Sequence, residues 1–258
     1  MAPYLARIDL YPVKSLDGVT VKAATVLASG ALRHDRAFAL VDQAGRFVNG
    51  KRFASIHRVR SRFSDDFSQI SLWMDNSAPA AFHLRDETTG LERWFSDYFQ
   101  RPVTLQHNGE LGFPDDTDSP GPTVISTATV QTVADWYGLS LEESRRRFRT
   151  NLEIAGVPAF WEDQLFSESG EPVPFQIGAV TFLGINPCQR CIVPTRDAET
   201  GEAIAGFQKT FSQRRAETLP EGVARSRFNH FYRLAVNTRR LPNSGDQPLA
   251  IGDSVSLA

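Results

Sequence analysis

Short runs of strand-forming residues, each stopped by glycine, proline, aspartate or asparagine, recur along most of this 258-residue chain. Ala6–Val13, Val19–Leu27 and Ala37–Val48 are such runs, the last read as a hairpin turning at 42–45. Val59–Phe63 and Gln69–Met74 form a pair around polar 64–66, followed by Ala81–Arg85 and Val103–Leu105. Thr123–Ile125, Phe175–Leu183, Phe231–Asn237 and Val255–Leu257 complete the set, with turn-rich 242–246 and 251–253 between the last two. Helical spacing is confined to four places. Leu91–Phe99 carries Trp94, Phe95, Tyr98 and Phe99, and Ser126–Tyr137 puts Val130, Val133 and Tyr137 on one face. Ser140-Leu141-Glu142-Glu143 is a capping-box pattern opening a third helix. Gly206–Glu217 would turn Phe207 and Phe211 inward. Regular strand–helix alternation is missing, so a doubly wound sheet is excluded. The pattern predicts a mostly β (α+β) protein closed into barrels, with a few short helices. The Pro-, Gly- and Asp-rich stretch 108–121 is the expected junction, giving domains over 1–115 and 116–258.

Composition narrows the function classes. Hydrophobic residues make up 41% and charged residues 22%, as in ordinary globular proteins. Lys+Arg 28 against Asp+Glu 30 leaves −2, with no global pull toward nucleic acid or membrane. No apolar stretch approaches the roughly 20 residues needed to span a bilayer, and the first residues lack the apolar run of a signal peptide. Two cysteines cannot build a disulfide framework, which fits a reducing compartment. The expected location is the cytoplasm.

Both cysteines lie in Asn186-Pro187-Cys188-Gln189-Arg190-Cys191-Ile192-Val193-Pro194. Structural zinc wants about four ligands, yet there is no second cysteine pair, and His34, His57, His83, His107 and His230 are isolated from one another. A thioredoxin-like motif should open a helix, whereas β-branched residues and Pro194 follow this pair. Two plain buried thiols are the bland alternative. The functional alternative is a single thiolate, Cys188 or Cys191, on a soft metal whose other ligands come from a cofactor. Arg190 and Arg196 would favour the thiolate by charge.

An ordered set of segments carries a more specific signal. Tyr11-Pro12-Val13-Lys14-Ser15, Asp35-Arg36, Ser126, Phe148-Arg149-Thr150-Asn151, Glu162-Asp163, Pro187-Cys188-Gln189-Arg190-Cys191, Asp197-Ala198-Glu199-Thr200-Gly201 and Ile251-Gly252-Asp253 run from one end of the chain to the other. In that order they resemble the MOSC family (molybdenum cofactor sulfurase C-terminal domain) preceded by its N-terminal β-barrel domain. The branch resembled is that of the mitochondrial amidoxime-reducing component and its bacterial relatives. The resemblance implies a molybdenum pyranopterin (Mo-molybdopterin) cofactor with Cys191 as the metal ligand and catalytic centre. It implies that Lys14, Ser15 and Arg36 reach the cofactor from the first domain, and Ser126, Arg149, Asn151 and Gln189 from the second, so that the site is a cleft between them. At the level of the family alone it also implies pyridoxal phosphate binding.

The implied activity is reduction of small N-hydroxylated substrates. The sequence shows no cysteines beyond this pair for a built-in cluster, so electrons would come from an external electron-transfer protein, ferredoxin-like or cytochrome-like with its reductase. The alternative is a sulfur-carrier (persulfide) or cofactor-carrier protein without reductase turnover. Blander roles stand beside these. Lys14 alone reads as a surface lysine, Arg145–Arg147 as a wet helix face, Asp35-Arg36 as a local ion pair, and Asp197 as a turn former. Gln189, Thr150 and Leu165 depart from residues frequent in relatives and bear on substrate range more than on cofactor binding.

Overall fold

The computed structural model describes residues 2–257 apart from residue 76 and residues 242–244. The turn expected at 242–246 therefore begins outside the described residues. In chain order the elements are β1 (Tyr4–Leu10), β2 (Val19–Val21), β3 (Ala23–Val26), β4 (Phe38–Asp42), β5 (Val59–Phe63), β6 (Gln69–Met74) and β7 (Ala80–His83). Helix α1 (Thr88–Phe99), β8 (Val103–His107), β9 (Val124–Ser126), α2 (Thr127–Tyr137), α3 (Leu141–Phe148) and β10 (Leu152–Ala155) follow. β11 (Val173–Ile177), β12 (Val180–Gln189), α4 (Phe207–Glu217), β13 (Arg233–Arg240), β14 (Gln247–Ala250) and β15 (Val255–Leu257) complete the chain. The protein is mostly β with four α-helices among the described residues, as the pattern of short runs predicts.

One sheet dominates, in the order β15-β11-β12-β13-β9-β10-β1-β2. Its second-half strands are joined by β1, which pairs antiparallel with β10 from Tyr4↔Ala155 to Ile8↔Leu152. β3 leaves this sheet to pair with β14 near the other end of the chain. The first 26 residues are thus woven into the second half, although they precede the expected junction by some eighty positions. The rest of the first half has its own core, in which Leu40, Ile56, Ile70, Leu72, Leu91 and Phe95 pack between β4–β8, β5–β6–β7 and α1. A third apolar cluster joins Val130 and Val133 of α2, Phe148 of α3 and Phe207 and Phe211 of α4 against β13.

Three local expectations are corrected. The single strand expected over Phe175–Leu183 is two strands joined by Gly178-Ala179, with Ile177 opposite Val180. Gly178 adopts φ +57, the positive value that tight hairpin turns demand. The hairpin expected over 37–48 forms, with the Asp42 N–H donating to the Arg46 carbonyl at 2.9 Å and the Val48 N–H to the Leu40 carbonyl at 2.8 Å, but its return arm is a single bridge, Val41↔Phe47, and the full-length partner of β4 is β8 on its other edge. β14 arises where only connecting turns were expected. Its Pro248 argues against a strand, but a two-stranded ribbon tolerates proline on its open edge.

Strand β12 carries Cys188 near its end and leads into Cys191. Its ladder with β13 slips at Ile185, which is an extra residue, and again at Cys188, which alone faces Leu234 and Ala235. Ala235 takes a left-handed φ of 66. Such irregularities bend a strand and re-aim side chains.

Candidate functional site

A cleft of about 890 Å³ lies between the first half of the chain and strands and helices of the second. Seven of the eight sequence-predicted site residues line it: Lys14, Ser15, Arg36, Arg149, Asn151, Gln189 and Cys191. Twelve Lys and Arg side chains line it against six Asp and Glu, in a chain whose net charge is −2. The positive potential is therefore local, concentrated in a concave site.

The backbone is unusual at three of these positions. Ser15, Arg36 and Arg149 all hold left-handed backbone, with φ of 73, 50 and 52. Non-glycine residues rarely occupy this region, and such strain clusters at functional sites. Arg149 takes it because it caps the C-terminus of α3, its N–H donating to the carbonyl of Arg145. Its guanidinium lies 4.1 Å from the Tyr11 ring centroid, and that of Arg36 lies 5.0 Å from the same ring. Among the described residues no carboxylate pairs with Arg149, and its Nη2 is buried with no hydrogen-bond partner. Burial, reinforced by Arg36, pushes its pKa down against the opposing pull of Tyr11. Arg36 differs, since it pairs with Asp35 and donates to the Arg149 carbonyl at 3.2 Å.

Lys14 is no surface lysine. It is 7% exposed, and its Nζ donates to the Phe113 carbonyl at 2.8 Å and to Asp115 Oδ1 at 2.6 Å. Burial pushes its pKa down and Asp115 opposes that shift. Ser15 Oγ accepts the Gly50 N–H at 3.3 Å. Asn151 is spent inside the protein: its Nδ2 donates to the Asp9 carbonyl at 3.1 Å, and its Oδ1 accepts from Arg36 Nη1 and Thr123. It therefore fixes Arg36 and joins β1 to β10.

Ser126 is the exception to the predicted set. It is fully buried away from the cleft. Its hydroxyl accepts the Thr129 N–H and its own N–H donates to Glu162 Oε2. It does cap a helix, α2, as expected, but that helix end is already satisfied internally. Glu162-Asp163 also lies outside the cleft, in a buried ion cluster with Arg215.

Both thiols are partly buried and face the cleft. Cys188 receives a hydrogen bond from Arg190 Nη1 at 3.2 Å. Burial acts to lower the Arg190 pKa, but its neighbours Cys188, Cys191 and Tyr232 outweigh burial and raise it. Arg190 also donates to the Phe148 carbonyl, while its Nε is buried without a partner. Arg196 turns away, to the Gly201 carbonyl at 3.3 Å. Asp197 forms the turn expected of it, accepting the N–H groups of Glu199 and Thr200 at 3.0 and 2.8 Å. Among the described residues no three His, Cys, Asp or Glu side chains converge as a metal cage, so a metal at either thiol would take most of its ligands from elsewhere.

Several lining residues gave no signal in the sequence. Lys51 lies 3.3 Å from Asp115 Oδ2. His57 lines the cleft with its Nε2 buried and unpaired. Gly50 permits this, since a Cβ there would sit 3.0 Å from His57 Nε2 and 3.1 Å from Val193 Cγ2. Burial, then the nearby Arg149, Arg196 and Arg60, push the His57 pKa down to about 4. The arginine run is not a wet face: Arg147 is 3% exposed and bound to Glu143 at 2.7 Å, and Arg145 grips Glu153 at 2.8 Å.

Comparison with known proteins accords with this arrangement. Residues 2–94 match the MOSC N-terminal beta barrel domain and residues 122–256 match the MOSC domain. The molybdenum cofactor sulfurase of Drosophila grimshawi is 25% identical over 292 residues, covering 100% of this chain and 35% of its own length. The mitochondrial amidoxime reducing component 2 of Macaca fascicularis is 24% identical over 243 residues, covering 76% of this chain and 68% of its own length. The molybdenum cofactor sulfurase of Solanum lycopersicum is 24% identical, covering 77% of this chain and 30% of its own length. The chain thus spans about a third of the length of the sulfurases it matches. Among the described residues no helix is long and apolar enough to cross a membrane.

Proposed function

The chain belongs to the MOSC family, and from that premise we propose that it holds a molybdenum pyranopterin in the cleft and reduces N-hydroxylated compounds such as amidoximes. The observation that carries this reading is the pairing of a thiol wall with guanidinium groups that keep an unsatisfied buried nitrogen. Arg149 has no carboxylate and an orphaned Nη2, and Arg190 has an orphaned Nε. Buried polar nitrogens without partners are costly, and a phosphate or a polar pterin ring would satisfy them. The donor set therefore fits the group: cations and a lysine for the phosphate, and a soft thiolate, Cys191, for molybdenum.

When bound, the cofactor supplies two-electron oxygen-atom exchange. The chain's own residues bind and orient. Lys14, Arg36 and Arg149 attract the anionic end from both halves of the cleft. Asn151 Oδ1 fixes Arg36 by accepting one hydrogen bond, and the Tyr11 ring face holds both arginines. His57, neutral near pH 7, offers a free ring nitrogen to a ligand in the cleft. Overall, an amidoxime takes up two electrons and two protons and releases water. The electrons come from a separate redox protein. The amidoxime-reducing relative supports this activity by its name.

The test is metal analysis of protein from a host that makes the cofactor, with benzamidoxime reduction by an artificial donor. Wild type and Cys188→Ser should carry molybdenum, and Cys191→Ser should lose it together with activity. Pure wild-type protein without molybdenum would sink the reading. A second reading, sulfur transfer through a cysteine persulfide, draws on the Arg190–Cys188 contact and on the sulfurase relatives. A persulfide on either cysteine, formed equally well in Arg149→Ala, would favour it.

A further inference from the structure

The segment between β8 and β9 borders the cleft and puts a carboxylate among its cations. Among its anchoring contacts, three bracket Asp115. The Phe113 N–H donates to the Arg36 carbonyl at 2.8 Å, and the Gly121 N–H to the Thr238 carbonyl at 3.0 Å. Between them Asn237 Nδ2 donates to Asp116 Oδ2 at 3.0 Å. Held this way, Asp115 places Oδ1 at 2.6 Å from Lys14 Nζ and Oδ2 at 3.3 Å from Lys51 Nζ. All three side chains line the cleft.

The two ends of this contact are unequal. The Lys14 side chain is 9% exposed and the Asp115 side chain 58%. A buried ammonium without a counter-charge is strongly disfavoured, so Lys14 needs an anion whether or not a ligand is present. An exposed carboxylate recovers its hydration on release, which offsets part of the cost of leaving its partners. A carboxylate bridging two ammonium groups also presents the same acceptor oxygens that a phosphate would. Burial alone would raise the Asp115 pKa, but Lys14 and Lys51 hold it well below the ordinary carboxylate range. Asp115 is therefore a full anion at any pH near neutrality.

We propose that Asp115 is an internal counter-ion that occupies a Lys14–Lys51 phosphate cradle and is displaced by the phosphate group of the incoming ligand, with Lys51 joining Lys14 in holding it. The affinity of the cleft for a phosphorylated ligand is then set partly by the protein's own carboxylate. Every binding event must break the Lys14–Asp115 contact, and this cost is subtracted from the gross interaction. The inference rests on the reading above only in taking the phosphate to be that of the pterin cofactor.

The experiment titrates full-length protein, made in a host without the cofactor, with inorganic phosphate at low ionic strength. Asp115→Asn removes the competing charge and keeps the size of the side chain. It should bind phosphate on the order of tenfold more tightly than wild type, the worth of one charge-assisted hydrogen bond. Adding Lys51→Gln should take back most of that gain. Asp115→Ser replaces Asp115→Asn if the latter folds poorly. Phosphate affinity unchanged by both Asp115 substitutions overturns the proposal, as does a gain that survives Lys51→Gln in full. Molybdenum content is read separately. Protein that holds the metal but shows no Asp115 effect loses this inference and keeps the proposed function. Protein without metal that shows the Asp115 effect does the reverse.

Discussion

The cleft and the buried ion cluster beneath α2 solve the same problem in opposite ways. In the cluster one cation meets two carboxyls, all nearly inaccessible: Arg215 and Glu162 are each 1% exposed and Asp163 3%. Arg215 Nη2 donates to Asp163 Oδ1 at 2.6 Å, and its guanidinium lies 4.4 Å from the Phe160 ring centroid and 5.1 Å from that of Phe228. The surplus negative charge is removed by a proton, since burial and Asp163 push the Glu162 pKa up to about 8. In the cleft the surplus is positive. Arginine keeps its proton at any accessible pH, so this surplus can be relieved only by water or by an anion. A carboxyl surplus can close by protonation; a guanidinium surplus cannot, and needs water or an anion.

The largest expected effect breaks the cluster. Arg215→Met strands the buried Asp163 carboxylate and should cost about 3–5 kcal/mol in urea unfolding. Arg149→Met should change stability by less than about 1 kcal/mol, because no carboxylate depends on that arginine. Its signature should be metal content, reduced more than tenfold. Equal destabilisation by the two substitutions would erase the contrast.

The pH dependence should separate the regions by sign. Glu162 is pushed by burial, then by Asp163, from an ordinary pKa of 4.5 up to about 8 in the folded protein. Its contribution to stability is full below about 4.5 and lost as pH rises through about 8, because the unfolded chain releases the proton first. Glu162→Gln should keep the hydrogen bonds accepted from Ser126 and Thr129, and should melt several degrees above wild type at pH 9. His57 acts in the other direction. Its pKa falls from 6.5 to about 4 on folding, so stability is lost as pH drops through that window. For a partly exposed ring the effect is on the order of 1 kcal/mol. Melting curves of His57→Gln between pH 7 and 4 should be flatter than those of wild type, and parallel curves would refute the assignment.

The smallest effect tests whether the cleft stores strain. Ser15→Gly relaxes the φ of 73 and forfeits one long hydrogen bond to Gly50. Stability should rise by about 0.5 kcal/mol while phosphate affinity falls. A loss of stability would mean that the serine's contacts outweigh its backbone strain.

Where neighbouring residues settle a structure, the sequence was a sufficient guide. Strands β5 and β6 run over the spans expected from their alternation and turn. Ser140 caps α3, its Oγ accepting the Glu143 N–H at 3.1 Å, and Phe207 and Phe211 of α4 turn inward. Seven of the eight site residues taken from the motif order line the cleft, since a motif keeps its residues adjacent. It gave no sign that Ser126 is buried away from the cleft, because its partners Glu162 and Pro158 come from more than thirty residues away. β14 was illegible because its partner, β3, lies at the far end of the chain.

The chain's own order of residues determined a β-rich protein with a paired-thiol segment and a family signature. Only the tertiary structure decided that β1 crosses into the second half, that Lys51, His57 and Asp115 meet Lys14 and Arg149, and that Arg147 is buried. Those outcomes depend on charges and strands brought together from distant positions. Their energies come from burial and proximity, quantities that a linear string of residues does not contain.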